Sequence, residues 1–490
     1  MALRTQVANG LKWQAINIIG RQLLSLVVFT ALARLLAPSA FGLVGLIGIY
    51  LSFVGMFADQ GIGAALIQRK ELHPEHLDTA FWINMGCSII LCLGTIALAG
   101  PVSTLLGDAN LAPLLRWSSI GLVITALSAI HSTLLVKAMD FRRPTIRTLI
   151  ANTVGGAIGI GMALAGYGVW ALVAQQLSTA IAGAIFLWTV SPYRPKWRFS
   201  IVHFRELSSV SWSIFASSLL WIFTSRLDQM VIGRFIGAPA LGMYIIGNKF
   251  PDMAKTLTLT PLDVISLPAL SSLQDDHKKM REIIYKGMEL NATISFAIFV
   301  GLAAISNDIV PFLFGNKWAG AATFSALLSI YALVNILGVF FHPALLATGG
   351  IGRYVFLNVW QAAGSIVACA LGVKFGINYL ILGLTCLSLI LTTPALLYLK
   401  GRIGLAPLEY CKPCLVPALA SIFMAAIIWA TSLLFNADTP PALVVGSKII
   451  TGAIAYLGFL FVFKKSSLLK IADIVSHGLK TQSTAQPKTP

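Results

Sequence analysis

Long apolar stretches divide this chain almost from end to end, and short polar connections separate them. Each stretch has about the ~20 residues that an α-helix needs to cross the ~30 Å hydrocarbon core of a bilayer. The pattern predicts an all-α integral membrane protein with about 14 transmembrane helices. The predicted spans are residues 13–36, 41–67, 79–100, 115–136, 148–166, 168–190, 209–236, 241–271, 287–313, 321–347, 353–373, 377–399, 411–434 and 443–463.

The composition excludes a soluble globular protein. Of the 490 residues, 57% are apolar and only 11% are charged, and the mean hydropathy is +0.83. Soluble domains typically have a smaller fraction of apolar residues and a larger fraction of charged residues. The net charge of +17 does not indicate nucleic acid as a partner, because the basic residues lie between apolar stretches and not on one polar domain. Loops with this character typically contact anionic membrane lipids.

Lysine and arginine are concentrated in alternate connections, which the positive-inside rule assigns to the cytoplasm. Four connections are rich in Lys and Arg. They carry, in order, Arg69 and Lys70; Lys137, Arg142, Arg143 and Arg147; Arg194, Lys196, Arg198 and Arg205; and Lys278, Lys279, Arg281 and Lys286. Residues 101–114 and 435–442 have neither Lys nor Arg. This asymmetry predicts that both termini are cytoplasmic.

A weak duplication recurs after about 200 residues. Residues 34–42 read Arg-Leu-Leu-Ala-Pro-Ser-Ala-Phe-Gly, and residues 234–242 read Arg-Phe-Ile-Gly-Ala-Pro-Ala-Leu-Gly. Both copies begin on the same predicted side, so the repeat is parallel, with a pseudo-two-fold axis along the membrane normal. Repeated halves of this kind are typical of transporters that alternate access to a central cavity.

The duplication predicts two six-helix bundles followed by two further C-terminal helices. The predicted boundaries are an N-terminal bundle at 1–196, a linker and C-terminal bundle at 197–404, two additional spans at 405–465, and a cytoplasmic tail with a short amphipathic helix at 466–490. Segments 197–208 and 273–286 are predicted to be short amphipathic helices on the cytoplasmic surface.

The first span carries a polar stripe that includes Asn17 and Arg21. A charge inside the membrane is costly and usually faces a partner or a water-filled path. Arg21 is over two turns from the cytoplasmic end, too deep for ordinary snorkelling to the interface. It is therefore predicted to bind an anion in a cavity, with a structural ion pair as the alternative.

The second span has a small-residue stripe of Gly48, Ser52 and Gly55 that ends at Asp59. Small residues on one face allow close helix packing, which is the simplest explanation of the glycines. Asp59 has three interpretations, namely a structural ion pair, a site for a coupling cation such as Na+, or a proton acceptor.

Two of the prolines in the eighth span, Pro251 and Pro261, are predicted to interrupt its hydrogen-bond ladder. Lys249, Asp252 and Lys255 surround the first of them. A discontinuous helix with polar groups beside it is a recurrent way to build a substrate or ion site. The two lysines are predicted to contact substrate, although Asp252 and Lys255, three residues apart, could instead neutralise each other.

Arg226 and Asp228 lie in the seventh span, two residues apart, so their side chains point to nearly opposite faces. One of them is therefore predicted to contact a neighbouring helix, and Arg226 is the candidate for the cavity. Arg21, Arg226, Lys249 and Lys255 are balanced by four aspartates within the spans, so the sequence by itself does not predict a strongly cationic cavity.

Signatures of catalysis are absent from the sequence. There is no phosphate-binding glycine loop, nucleophile triad or spaced metal-ligand cluster, and the connections are too short for a catalytic domain. The sequence predicts no enzyme activity and no cofactor, with H+ or Na+ as candidate coupling ions.

Several segments resemble the polysaccharide transporter family, the Wzx-like flippases of the multidrug/oligosaccharidyl-lipid/polysaccharide exporter superfamily. They are residues 13–29, 33–43, 57–68, 167–172 and 247–249, and the branch they resemble most includes colanic acid and teichuronic acid exporters. The resemblance implies a bacterial cytoplasmic membrane protein that flips undecaprenyl-diphosphate-linked oligosaccharide for exopolysaccharide, capsule or O-antigen synthesis. A polysaccharide polymerase and glycosyltransferases are the partners it implies.

The same resemblance implies that basic residues of the first and eighth spans hold the diphosphate or acidic sugars, and Arg21, Lys249 and Lys255 match by position. Three alternatives remain: a multidrug or cation antiporter of the same fold, a peptidoglycan lipid-precursor flippase, and a membrane-embedded glycosyltransferase. The arginine in the first span argues against cationic cargo, and the short outward connections argue against the glycosyltransferase.

Overall fold

The computed structural model describes residues 2–59, 61–69, 72–203, 225–436 and 438–464. Within these ranges the regular structure is helical and no strand is present. In the described part of the chain, twelve helices are long and apolar enough to cross a membrane. The prediction of an all-α integral membrane protein is therefore confirmed, and the protein is a multi-pass membrane protein.

Internal contacts divide the chain into two compact units, Met1–Ile245 and Ile246–Pro490. The first unit contains helices α1 (Ala2–Leu35), α2 (Pro38–Asp59), α3 (Ile62–Gln68), α4 (Pro74–Leu106), α5 (Leu111–Lys137), α6 (Arg142–Leu164) and α7 (Trp170–Val190). Residues 225–231 are helical and continue into a π-helical turn, Ile232–Ile236. Helix α8 (Ala238–Ser271) starts in the first unit.

The second unit contains the rest of α8 and seven further helices. They are α9 (His277–Phe314), α10 (Ala319–Ile336), α11 (Phe341–Ala347), α12 (Ile351–Phe375), α13 (Ile377–Ile403), α14 (Pro407–Ser432) and α15 (Pro441–Phe463). The predicted seventh span, 209–236, and the predicted tail helix lie mostly or wholly outside the described residues. The total of about 14 spans and the predicted domain boundaries stay predictions.

Helix α8 continues through Pro251 and Pro261, so the predicted interruption of the eighth span is wrong. Residues 238–271 are helical without a gap, and Pro251 and Pro261 are both inside. A proline removes one N–H donor and favours a kink, but the turns on either side can keep their own hydrogen bonds.

The tenth predicted span, 321–347, is interrupted instead, and so is the second, 41–67, which divides into α2 and α3. Residues 337–340 form a turn between α10 and α11, and the amide of Gly338 bonds to the carbonyl of Asn335, three residues back. The hydroxyl of Tyr410 on α14 donates a 2.5 Å hydrogen bond to the carbonyl of Leu337. A carbonyl released from helical bonding thus has a partner inside the protein, as an apolar environment requires.

The predicted amphipathic helix at 273–286 is not a separate element. Helix α9 begins at His277 and runs through this segment into the ninth span. The side chain of Asp276 accepts a 3.0 Å hydrogen bond from the backbone amide of Lys279 and so caps the helix. This bond and the nearby ammonium group of Lys279 lower the pKa of Asp276.

The two copies of the repeated motif meet at the first turns of α2 and α8, within the first unit. A Cβ placed on Gly42 would lie 2.8 Å from the Cα of Ala238, and one placed on Gly242 would lie 2.8 Å from the carbonyl carbon of Pro38. The contact is reciprocal, because residues 42 and 38 correspond to 242 and 238 in the repeat. Only glycine permits backbones to approach this closely.

Candidate functional site

Arg21 lies on the exposed side of α1. The opposite side of this helix packs on α6, where a Cβ on Gly20 would lie 3.1 Å from Leu149 and the Thr145 hydroxyl donates to the Trp13 carbonyl at 3.2 Å. Within the described residues no hydrogen bond or ion pair reaches Arg21. One turn earlier, the enclosed side-chain oxygen of Asn17 also has no partner there. The guanidinium of Arg21 is therefore accessible to a ligand.

Arg226 and Asp228 point apart, as their spacing predicts. Arg226 is exposed and donates to the side-chain oxygen of Gln229 at 3.2 Å. Asp228 accepts a hydrogen bond from the hydroxyl of Tyr244 on α8. Asp228 is thus the member of the pair that contacts a neighbouring helix, and Arg226 keeps an accessible guanidinium.

The charged residues of α8 lie on one side of the helix in the second unit. Asp252 and Lys255 are exposed and Lys249 is half-buried, at spacings of three residues. On the buried side, the ring of Phe250 stacks on Phe314 at a centroid distance of 5.4 Å. In the described part of the chain no ion pair joins Asp252 to Lys255, so mutual neutralisation is not observed.

Asp59 ends α2, and its side chain lies outside the described residues. The small-residue stripe that leads to it is not a packing face. Among the described residues, no atom of another helix lies within 4 Å of a Cβ placed on Gly48, and on Gly55 the one such atom is Leu122 Cδ2, at 3.7 Å. The explanation of these glycines as a close helix contact is therefore wrong, because this side of α2 borders a cavity.

The cavity lies within the first unit, among α2, α4, α5 and α7, and has a volume of about 430 Å³. Asn84, Ser88 and Ser118 are buried on its floor, while Ser52, Thr125 and Gln176 are exposed at its rim. Sequence reasoning missed most of these residues. The available signal was helical spacing, since Asn84 and Ser88 are one turn apart and Ser118 and Thr125 are two turns apart.

Two ion pairs in the second unit were also missed. Lys448 on α15 lies 2.6 Å from the carboxylate of Asp308 on α9, and its side chain is only 6% exposed. Lys464, just after α15, lies 3.0 Å from Glu289 on α9. Nothing in the local sequence indicates a partner about 140 or more residues away. These pairs hold the last span to α9.

The fold and the polar groups inside it define the class, a multi-pass helical membrane protein with hydrophilic surfaces within its membrane region. The profile of a family described as polysaccharide biosynthesis protein matches residues 31–323, which is more than half of the chain, and the chain belongs to that family.

Individual relatives match over most of the chain. The succinoglycan biosynthesis transport protein ExoT of Rhizobium meliloti (strain 1021) is 25% identical over 477 residues, covering 96% of this chain and 95% of the relative. The lipopolysaccharide biosynthesis protein WzxC of Escherichia coli (strain K12) is 26% identical over 388 residues, covering 77% of this chain and 78% of the relative.

Among solved structures, the lipid II flippase MurJ in an inward closed conformation has a TM-score of 0.75 to this chain. The sequence identity is 16%, and the match covers 93% of this chain and 99% of the other. The similarity shows that the two proteins share a fold.

Proposed function

We propose that this protein flips polyprenyl-diphosphate-linked oligosaccharide across the bacterial cytoplasmic membrane for polysaccharide synthesis. The observation that carries the proposal is membership of the polysaccharide biosynthesis family. The full-length match to a relative named as a transport protein supports transport over catalysis. The fold alone does not select the cargo, and the family favours an oligosaccharide over a drug or a peptidoglycan precursor.

The physical problem is the headgroup of the cargo. A diphosphate with several sugars loses its water in hydrocarbon, and every polar group left without a partner costs free energy. Basic side chains can replace that water around the phosphates with charge-assisted hydrogen bonds. Arg21, Arg226, Lys249 and Lys255 are the groups we assign to this role, with Asn17 as a hydrogen-bonding neighbour of Arg21. The prenyl chain can stay in the bilayer during transit.

Both termini are placed in the cytoplasm, and the two halves are related by a parallel repeat. The Lys and Arg asymmetry of the connections supports the first assignment. The reciprocal contacts of Gly42 with Ala238 and of Gly242 with Pro38 support the second. A repeat of this kind exposes one site alternately to the two sides of the membrane.

Coupling to H+ or Na+ is assigned to three aspartates of the spans, Asp59, Asp228 and Asp252. Asp252 is exposed on the same side of α8 as the lysines, so it is the most accessible to an ion. The hydroxyl of Tyr244 already bonds to Asp228, which favours a structural role for that carboxylate. Glycosyltransferases that build the cargo and a polymerase that consumes it are the functional partners of the proposal.

Reconstitution tests the proposal. Purified protein is placed in liposomes with a fluorescent polyprenyl-diphosphate oligosaccharide, and a membrane-impermeant quencher reports the fraction of label on the outer leaflet. Equilibration much faster than in protein-free liposomes is expected. Equal rates with and without protein, tested with several oligosaccharides and with imposed H+ and Na+ gradients, would contradict it.

A further inference from the structure

The cavity of the first unit contains polar groups that lack partners among the described residues. Within these residues the enclosed hydroxyl of Ser118 has no hydrogen bond, and Ser118 is only 4% exposed. Asn84 is equally buried, and within the described residues its amide nitrogen donates no hydrogen bond. A buried polar group normally has a partner, and an exception requires an explanation such as a ligand or water.

The rim adds hydrogen-bond acceptors. The hydroxyl of Ser52 donates to the carbonyl of Gly48 at 2.6 Å, and that of Thr125 donates to the carbonyl of Gly121 at 2.7 Å. Each hydroxyl oxygen thus keeps lone pairs for a ligand. The side-chain amide of Gln176 offers both donors and an acceptor. Exposure of the Gln176 amide to acyl chains would leave it unsatisfied, so the rim faces an aqueous space.

The described part of the lining is neutral. Among the residues whose side chains the structure describes, none of the sixteen that border the cavity is ionisable. A diphosphate or an acidic sugar would therefore lose its water without a counter-charge. A prenyl chain would leave Ser118 and Asn84 unpaired. A neutral sugar ring matches the lining better, because its hydroxyls donate and accept hydrogen bonds while its C–H groups can contact Leu51, Leu122 and Leu177.

The volume also suits a small ligand. At about 430 Å³ the cavity falls in the range of ~300–1,000 Å³ that small-molecule sites usually occupy. The glycines produce this space, since a Cβ on Gly48 would meet nothing within 4 Å and one on Gly121 would meet only Leu177, at 3.6 Å. A monovalent cation would fill a small part of it.

We propose that this cavity is a subsite for a neutral sugar of the glycan, separate from the basic residues that hold the diphosphate. The proposal rests on the proposed function. It adds a preference for neutral sugars, which the diphosphate site cannot supply. Carriers whose first sugars are neutral should bind more tightly than the bare carrier lipid.

Titration calorimetry with the purified full chain in nanodiscs tests the subsite. The probes are a short-chain prenyl diphosphate, its glucosyl derivative and its glucuronosyl derivative. We expect wild-type protein to bind the glucosyl probe more tightly than the other two. Gly48→Leu, which fills the cavity, should abolish this preference and leave affinity for the bare probe unchanged. Ser118→Ala should weaken glucosyl binding roughly 2- to 12-fold, the value of one hydrogen bond.

Gly161→Leu is the matched control, because Gly161 is exposed on α6 and a Cβ there meets nothing within 4 Å. It should keep the glucosyl preference, and thermal unfolding of every variant establishes that it is folded. Equal wild-type affinity for all three probes would overturn the subsite alone. An equal loss of affinity for all three probes in Gly48→Leu would mean that the cavity binds the prenyl diphosphate that they share. Failure of wild-type protein to bind any probe would contradict the proposed function as well.

Discussion

Gly42 packs against the backbone of Ala238 with no room for a side chain. A Cβ at position 42 would lie 2.8 Å from the Cα of Ala238 and closer still to its carbonyl oxygen. Neither backbone can yield as the end of a flexible side chain does, because each belongs to the first turns of a helix. Substitution of Gly42 therefore tests whether the first turns of α2 and α8 are in contact.

Gly42→Ala should lower the free energy of unfolding by about 1–3 kcal/mol, the usual cost of overpacking a tight contact. Thermal unfolding in detergent, followed by tryptophan fluorescence, measures the change. Gly161→Ala is the control, since a Cβ there meets nothing within 4 Å and alanine favours a helix. An unchanged melting temperature in Gly42→Ala would show that the two helices do not meet as described.

The ion pair between Asp308 and Lys448 should be essential for stability. Asp308→Asn leaves the buried ammonium group without its counter-charge, which typically costs about 3–5 kcal/mol. Thermal unfolding should shift strongly downward, and the exchange Asp308→Lys with Lys448→Asp should restore part of the loss.

Lys412→Ala is the comparison for this ion pair. Its 58% exposed side chain pairs with the 52% exposed Glu409, and exposed pairs contribute about 0–1 kcal/mol. Equal effects of Asp308→Asn and Lys412→Ala would mean that the pair between α9 and α15 is not buried in solution.

Tyr410→Phe should destabilise the turn at residues 337–340. The variant removes the hydroxyl that satisfies the Leu337 carbonyl while preserving the ring, and the expected cost is about 1–3 kcal/mol for the orphaned acceptor. Hydrogen exchange should rise in peptides that cover the turn. Tyr379→Phe serves as control, because Tyr379 is 59% exposed. Unchanged exchange around residue 337 in Tyr410→Phe would contradict the assigned partner.

Arg21→Ala should abolish or strongly reduce flipping while the protein remains folded. Arg21 is exposed and without a described partner, so its removal leaves little unsatisfied in the fold. Loss of a charge-assisted hydrogen bond, worth about 1.5–3 kcal/mol, should weaken binding of a short-chain prenyl diphosphate roughly tenfold or more.

Arg116→Ala, at another exposed arginine of a span, should leave flipping and binding unchanged. Binding by calorimetry and flipping in liposomes measure the two effects on one preparation. Normal flipping by a well-folded Arg21→Ala protein would remove Arg21 from the binding site.

Much of the architecture was predictable because membrane insertion depends on local sequence. Apolar length determines where a helix can span, and twelve such helices are present in the described residues. The position of Arg21 within an apolar helix can be read from the sequence alone, while its role in binding stays a prediction. The prolines of α8 led to a wrong prediction because a helix can continue through a proline as well as break at it.

The sequence by itself determined the class, the spans and the deep charged residues, because each depends on a property of about 20 consecutive residues. Only the tertiary structure decided that Lys448 meets Asp308, that the turn lies at 337–340, and that the glycines of α2 border a cavity. These three features depend on which faces of the helices are in contact. Residues that are far apart in the sequence determine those contacts jointly.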